Sequence, residues 1–133
     1  MATSFNIEAI TPNGIKLQTT ATFLKLRTVN GDVGILANHS NLVTELGTGE
    51  MTVKKDKEEE KYYLSGGFME VREGKVVIMA EEVIEASKID VERLRKETEL
   101  EEAKLEKLKE EKDILSTNKR IQDNLTKIRI GTR

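Results

Sequence analysis

The chain lacks cysteine and tryptophan, has a single proline, and draws only 4% of its 133 residues from the aromatics. Without cysteine there is no disulfide framework, no thiolate nucleophile and no sulfur ligand for a metal, a composition that fits a reducing compartment. The chain has one histidine, His39. A metal site takes further ligands. A general base takes an orienting partner and a nucleophile in a cleft. The expectation for His39 is therefore a loop position at an interface or in a hydrogen-bond network. No apolar run is long enough to cross a bilayer. Met1-Ala-Thr-Ser-Phe5 lacks the basic and apolar regions of a signal peptide. Membrane association is expected only through a protein partner.

Charged residues make up 35% of the chain, against 37% hydrophobic, so the apolar core is thin for the length and part of the chain should lie outside it. The net charge of −2 hides an asymmetry. Residues 1–87 hold 9 Lys/Arg against 13 Asp/Glu, and residues 88–133 hold 13 against 11. From Ile114 onward there are Lys119, Arg120, Lys127, Arg129 and Arg133 against Asp123 alone. A basic terminal segment on an acidic chain suggests an acidic partner surface. Nucleic acid fits poorly, because no aromatic platform interleaves these charges.

Gly31-Asp-Val-Gly-Ile-Leu-Ala-Asn-His39 packs a turn, a short apolar strand (Val33, Ile35 and Leu36) and a polar loop into one stretch. It is read either as a tight turn of a β-domain or as a rigid loop that presents Asp32 and His39 to a partner. Around it, Ser4 to Ile10 alternates as a strand with Phe5, Ile7 and Ala9 on one side. Thr11-Pro-Asn-Gly14 is a turn. Ile15 and Leu17 belong to a second strand, and Thr20 to Val29 to a third. Met51–Lys54 and Tyr62–Leu64 form a hairpin with a charged tip. Ser65-Gly-Gly67 suggests close backbone approach or a bulge, since a phosphate loop needs a longer glycine pattern with a lysine. Phe68–Arg72 and Lys75–Met79 form another hairpin about Glu73-Gly74. Many short strands with regular turns indicate a sandwich or a barrel.

The composition changes near Ala80. After Ser87 or Asp90, either able to cap a helix, Val91 to Lys112 is dominated by Glu, Lys, Leu and Arg. Its apolar stripe (Val91, Leu94, Leu100, Ala103, Leu105, Leu108) is thin and breaks heptad spacing. Asp113 and Ser116-Thr-Asn118 are expected to interrupt the helix. Ile114, Ile121, Leu125 and Ile128 then recur on a second, basic helix. The simplest account is a weakly held αα-hairpin able to rearrange.

Three motifs in order, Gly34-Ile-Leu-Ala-Asn-His39, Ser65-Gly-Gly-Phe-Met-Glu-Val71 and Ile89-Asp-Val-Glu-Arg93, resemble the ε subunit of the F-type ATP synthase along essentially the whole chain. Where that family usually has proline this chain has Ala37. The resemblance implies a mainly β fold with added α structure: an N-terminal β-sandwich of about ten strands, residues 1–86, and a C-terminal antiparallel two-helix hairpin, residues 87–133. It implies a non-catalytic rotor-stalk subunit that couples ion flow to ATP synthesis and inhibits ATP hydrolysis through its helices. The implied partners are the γ subunit, the c-subunit ring and, with the hairpin extended, the α and β subunits. No nucleic acid is expected, and the implied location is the cytoplasmic face of the bacterial membrane, reached through the complex.

The resemblance further implies that the loop Gly31, Asp32, Val33 and Gly34 faces the ring. Thr11, His39 and Thr44 lie on the γ-facing side, and Lys119, Arg120, Lys127 and Arg129 form the inhibitory helix surface. No resident cofactor or metal is expected. Some relatives bind ATP with an Ile-Asp-x-x-Arg-Ala pattern; Asp90 and Arg93 match it, but Leu94 stands at its alanine and Ile84 at its upstream acid. Ordinary helix-start chemistry is the favoured account of that pair, with weak regulatory ATP contact behind it. The rival function is a free-standing adaptor that binds an acidic protein or nucleic acid through the basic helix. A small β-sandwich enzyme lacks any acid, base and nucleophile set.

Overall fold

The computed structural model describes residues 3–105 and 111–132, and their side chains except at 105 and 111–116. The chain divides into two compact units, Met1–Ala86 and Ser87–Arg133. The first contains eight strands among the described residues: β1 Phe5–Thr11, β2 Gly14–Ala21, β3 Phe23–Thr28, β4 Gly31–Ile35, β5 Leu42–Leu46, β6 Gly49–Lys55, β7 Glu58–Arg72 and β8 Lys75–Glu85. They follow the order β2-β1-β8-β7-β5-β3-β4, with β6 paired to both β3 and β7.

The sandwich is as expected, but it has eight strands where about ten were expected from the family resemblance. Part of the difference lies at Ser65-Gly-Gly67. Tyr62–Leu64 and Phe68–Arg72, read above as separate strands, are one strand of 15 residues. The β7–β8 register is the same on both sides of the glycines, Ser65 opposite Glu82 and Gly67 opposite Ala80, so there is no bulge. The glycines instead permit close backbone approach. A Cβ on Gly67 would lie 1.8 Å from the Met79 carbonyl oxygen. The N-terminal half of β7 pairs with β6 and its C-terminal half with β5, so this strand and β8 carry the hydrogen bonding from one layer to the other. β8 likewise runs past Ala80 to Glu85.

Alternation decides which residues form the core. Ile7 and Ala9 of β1, Leu24 and Leu26 of β3, Met51 and Val53 of β6, Met69 of β7 and Ile78 of β8 are all essentially inaccessible. Apart from Ala9, each of these side chains contributes about 1.5–3 kcal/mol on burial. The expected strand Thr20–Val29 is broken at Thr22, whose N–H and hydroxyl both turn to the Lys54 carbonyl. Leu36, read as part of a strand, lies beyond β4 and is 60% exposed.

Two turns share one device. Thr11 and Thr28 are buried, and each hydroxyl donates to the carbonyl of the glycine three residues on, Gly14 and Gly31, at 3.2 and 2.7 Å. Each hydroxyl also accepts the N–H of the intervening asparagine, Asn13 or Asn30. The glycines take φ of +112° and +115°, a region other residues rarely adopt.

The second unit holds a 3-10 turn, Ala86–Lys88, and two helices, α1 Val91–Leu105 and α2 Glu111–Gly131. Asp90 starts α1: its Oδ1 accepts the Arg93 N–H at 3.0 Å. Asp113 and Ser116-Thr-Asn118 do not interrupt the second helix as expected; α2 runs through them, with Thr117 buried at 2% exposure. The threonine is a packing residue there, which outweighs its modest helix propensity. The expected α1 stripe also differs. Leu100 is 71% exposed, and Leu94 and Thr98 are the buried pair four residues apart. Leu108 lies outside the described residues. On α2, Ile121 is buried but Leu125 is 43% exposed. Near the end of α2 the helices meet closely, since a Cβ on Gly131 would lie 2.9 Å from Val91 Cγ2.

Candidate functional site

Strands β2, β1, β8 and β7 present apolar residues outward where alternation usually places polar ones. Ile15 pairs with Ile10, Ile10 with Met79, and Met79 with Phe68. These register partners form a row across four strands, roughly 14 Å at ordinary strand spacing. Ile15, Met79 and Phe68 are each more than half exposed. Val43 on the neighbouring β5, opposite Glu70, is 68% exposed and extends the surface. Ion pairs flank it: Lys75 with Glu8 at 3.8 Å and Arg72 with Glu70 at 2.8 Å. A contiguous apolar row with a charged rim has the make-up of a protein-binding face. The alternation was readable in the sequence, but the assignment of Ile15, Phe68 and Met79 to one face depends on the strand order, which was not.

Thr11 and Thr44 adjoin opposite ends of this row, Thr11 after Ile10 and Thr44 between Val43 and Glu45. Thr11 spends its hydroxyl on its own turn, and Thr44 lies opposite Met69, on the inward-facing register. His39 sits in the loop after β4, its Nδ1 donating to the Ser40 carbonyl at 2.7 Å. Gly31, Asp32, Val33 and Gly34 form most of β4. Asp32 is exposed opposite Arg27, Val33 is half-buried against the core, and a Cβ on Gly34 would lie 3.0 Å from the Phe23 ring. So β4 is anchored through Val33 and Ile35 on its inward side and shows Asp32 on its outward side, where the Phe23 ring covers Gly34.

On the helices, Asp90 is occupied as the α1 cap, and Arg93 Nε lies 3.5 Å from Glu97 Oε1 one turn on. This is the helix-start chemistry favoured for the pair. The four basic residues of α2 do not share one face. At 100° per residue Arg120 and Lys127 align, Lys119 is about a quarter-turn away, and Arg129 projects from the side opposite Lys127. Arg120 and Lys127 line a groove of about 290 Å³ with Glu97, Leu100, Glu101, Asp123 and Asn124. Arg120 Nη1 donates to Glu101 Oε1 at 3.2 Å.

The fold thus defines a class: a β-sandwich with an exposed apolar face, followed by a polar helical hairpin. Residues 4–86 match the sequence model of the ATP synthase Delta/Epsilon chain β-sandwich domain. The chain is 45% identical over 131 residues, 98% of its length and 95% of the relative's, to the Propionigenium modestum "ATP synthase epsilon chain, sodium ion specific". It is 37% identical to the Alkalihalophilus pseudofirmus ATP synthase epsilon chain over 108 residues, 81% of each chain. Among solved structures it is similar to a chain of the Euglena gracilis mitochondrial ATP synthase OSCP/F1/c-ring assembly, with a TM-score of 0.77, 26% identity and coverage of 90% of this chain and 76% of that one. A second similarity, to a chain of the Tetrahymena thermophila mitochondrial enzyme, has a TM-score of 0.60 at 11% identity and speaks to the fold alone. The chain belongs to the ATP synthase epsilon-chain family.

Proposed function

We propose that this chain is a non-catalytic subunit of the rotor stalk, joining γ to the c-ring through its sandwich and restraining ATP hydrolysis through its hairpin. The observation that carries the proposal is the exposed row Ile15–Ile10–Met79–Phe68, an apolar face that an assembled partner would cover. In this reading the row is the γ surface, with His39 in the loop beyond β4, and Thr11 and Thr44 border it with their side chains turned inward. Asp32, held out from an anchored strand, faces the ring. Arg120, Lys127, Lys119 and Arg129 meet acidic surfaces of the catalytic α and β subunits when the hairpin extends. Among the described residues no helix is long and apolar enough to cross a membrane. Attachment to the cytoplasmic face of the membrane then goes through the complex. The proposal includes no resident cofactor; ATP at Asp90 and Arg93 would have to displace the α1 cap and the Glu97 pair.

The test is binding of the isolated γ subunit to the full chain carrying Phe68→Asp or Met79→Asp. Both side chains are about half exposed, so the fold should hold while affinity falls at least about tenfold. Unchanged affinity with an intact fold would move the γ surface elsewhere. The free-standing adaptor reading predicts instead that neither substitution matters to any partner.

A further inference from the structure

The hairpin contains an ion pair that exists only while its two helices are antiparallel. Arg120 of α2 reaches Glu101 of α1, 19 residues back in the chain, through Nη1 at 3.2 Å from Oε1. Glu101 is the less exposed partner, its side chain 21% accessible against 56% for Arg120. Its second oxygen, Oε2, is buried without a hydrogen-bond partner among the described residues. Glu101 falls on the same side of α1 as Leu94 and Thr98, so the carboxylate belongs to the inter-helix face. Opening the hairpin would return Oε2 to water, which lowers the cost of opening, and would leave the guanidinium without its carboxylate.

We propose that Glu101 is an intramolecular stand-in for a partner's carboxylate. The closed hairpin holds Arg120 on Glu101, and the docked helix holds it on an acidic surface of the partner, so the two states compete for one guanidinium. A single, partly exposed and singly hydrogen-bonded pair is a weak latch. That suits a contact meant to be exchanged for another of the same kind. This inference rests on the reading that α2 meets acidic surfaces.

The absence of cysteine allows two labels to be placed cleanly. With spin labels at Lys96→Cys and Gln122→Cys, both exposed positions, the inter-helix distance distribution of the full chain reports opening. Glu101→Gln and Arg120→Glu should each raise the open population about threefold, the scale of one exposed pair. The exchange Glu101→Arg with Arg120→Glu should return it toward wild type. Unchanged distributions in the single variants, or an exchange that merely sums them, would overturn the latch. In the assembled enzyme the two single variants should then part company. Glu101→Gln frees Arg120 and should slow ATP hydrolysis, whereas Arg120→Glu opens the hairpin but repels the acidic surface and should speed it. Opening without any change in hydrolysis would uphold the latch and count against the inhibitory role of α2.

Discussion

The sandwich and the hairpin are stabilised by different chemistry. The sandwich buries a continuous cluster drawn from β1 to β8, with eight of its aliphatic side chains named above essentially sealed from water. Between the helices lie Leu94, Thr98, Thr117, Ile121, a partly satisfied Glu101 and a glycine contact. The Thr98 hydroxyl turns back to the Leu94 carbonyl at 2.8 Å, so it fills space without tying the helices together. An apolar cluster of interdigitated residues has one good arrangement and loses much when disturbed. A short seam, with Leu94 and Ile121 as its large apolar members and threonines, a carboxylate and a glycine contact beside them, loses less on opening, because water can replace what its polar groups give up. One chain can thereby carry a fixed part and a part free to change partners.

The largest expected effect falls on the sandwich backbone. Gly67→Ala would put a methyl 1.8 Å from the Met79 carbonyl oxygen, with Met79 and Ala80 backbone atoms within 3 Å as well. Strands β7 and β8 would have to separate where they change layers. The cost should exceed about 4 kcal/mol, read as loss of the cooperative urea transition. A fold that accepts the methyl would show that the layers are less rigidly joined than this contrast requires.

Matched truncations come next. Ile78→Ala, at a fully buried position, should lower the main unfolding transition by about 2–5 kcal/mol. Leu94→Ala should leave that transition almost unmoved and reduce helical circular dichroism instead. The same Ile78→Ala cost should be measured in a chain ending at Ala86, which is expected to unfold cooperatively and still to bind γ. A truncated chain without a cooperative transition would mean that the hairpin is part of the core, and the contrast would fail.

Much of this was legible in the residues, and the exceptions share a cause. Phe5, Ile7 and Ala9 announced a buried strand face, and Asp90 a helix start, because both signals are local. The continuity of β7 was not legible, because Ser65-Gly-Gly67 is turn chemistry unless one knows that Met79 lies across from it. The path of α2 through Ser116-Thr-Asn118 was hidden for the same reason: burial of Thr117 decides it, and burial is tertiary. The repeated Thr-x-Asn-Gly at Thr11–Gly14 and Thr28–Gly31 is in plain view, but the hydroxyl bridge that both copies make is visible only in the fold. Of the candidate site, Asp32 stood out by its flanking glycines. The row through Met79 and Phe68 needed the strand order, since its members come from β2, β1, β8 and β7.

A smaller effect separates the charged tip of the sandwich from its core. Glu60 accepts hydrogen bonds from the buried Tyr62 hydroxyl and from Lys55, and these hold its carboxyl below the ordinary value of 4.5. The folded state thus favours the ionised form. The resulting stability is present above the unfolded value and is lost as pH falls through the folded one. Burial, and secondarily the bond to Glu60, push the Tyr62 hydroxyl well above its usual range, so its contribution is lost only in strong alkali. Glu60→Gln should flatten the acid limb of the stability–pH curve below about pH 4.5, measured as urea midpoints across that range. An unchanged acid limb would assign the tip no part in stability.

The smallest expected change in stability, Asp32→Ala, bears most directly on function. The β3–β4 turn does not depend on this side chain. Gly31 supplies the positive φ, the Thr28 hydroxyl closes the turn, Val33 anchors β4, and the Phe23 ring lies against Gly34. Asp32 is exposed on the outward face, away from Val33, so its removal should alter the stability measured by urea unfolding by no more than about half a kcal/mol. If this acid faces the ring, its loss should instead weaken the join between ring and stalk. Membrane vesicles carrying the assembled enzyme should then retain ATP hydrolysis while ATP-driven ion uptake falls. The two readouts separate an interface residue from a folding residue. A severely destabilised chain with full ion uptake would make Asp32 part of the sandwich's own structure and remove it from the ring-facing surface.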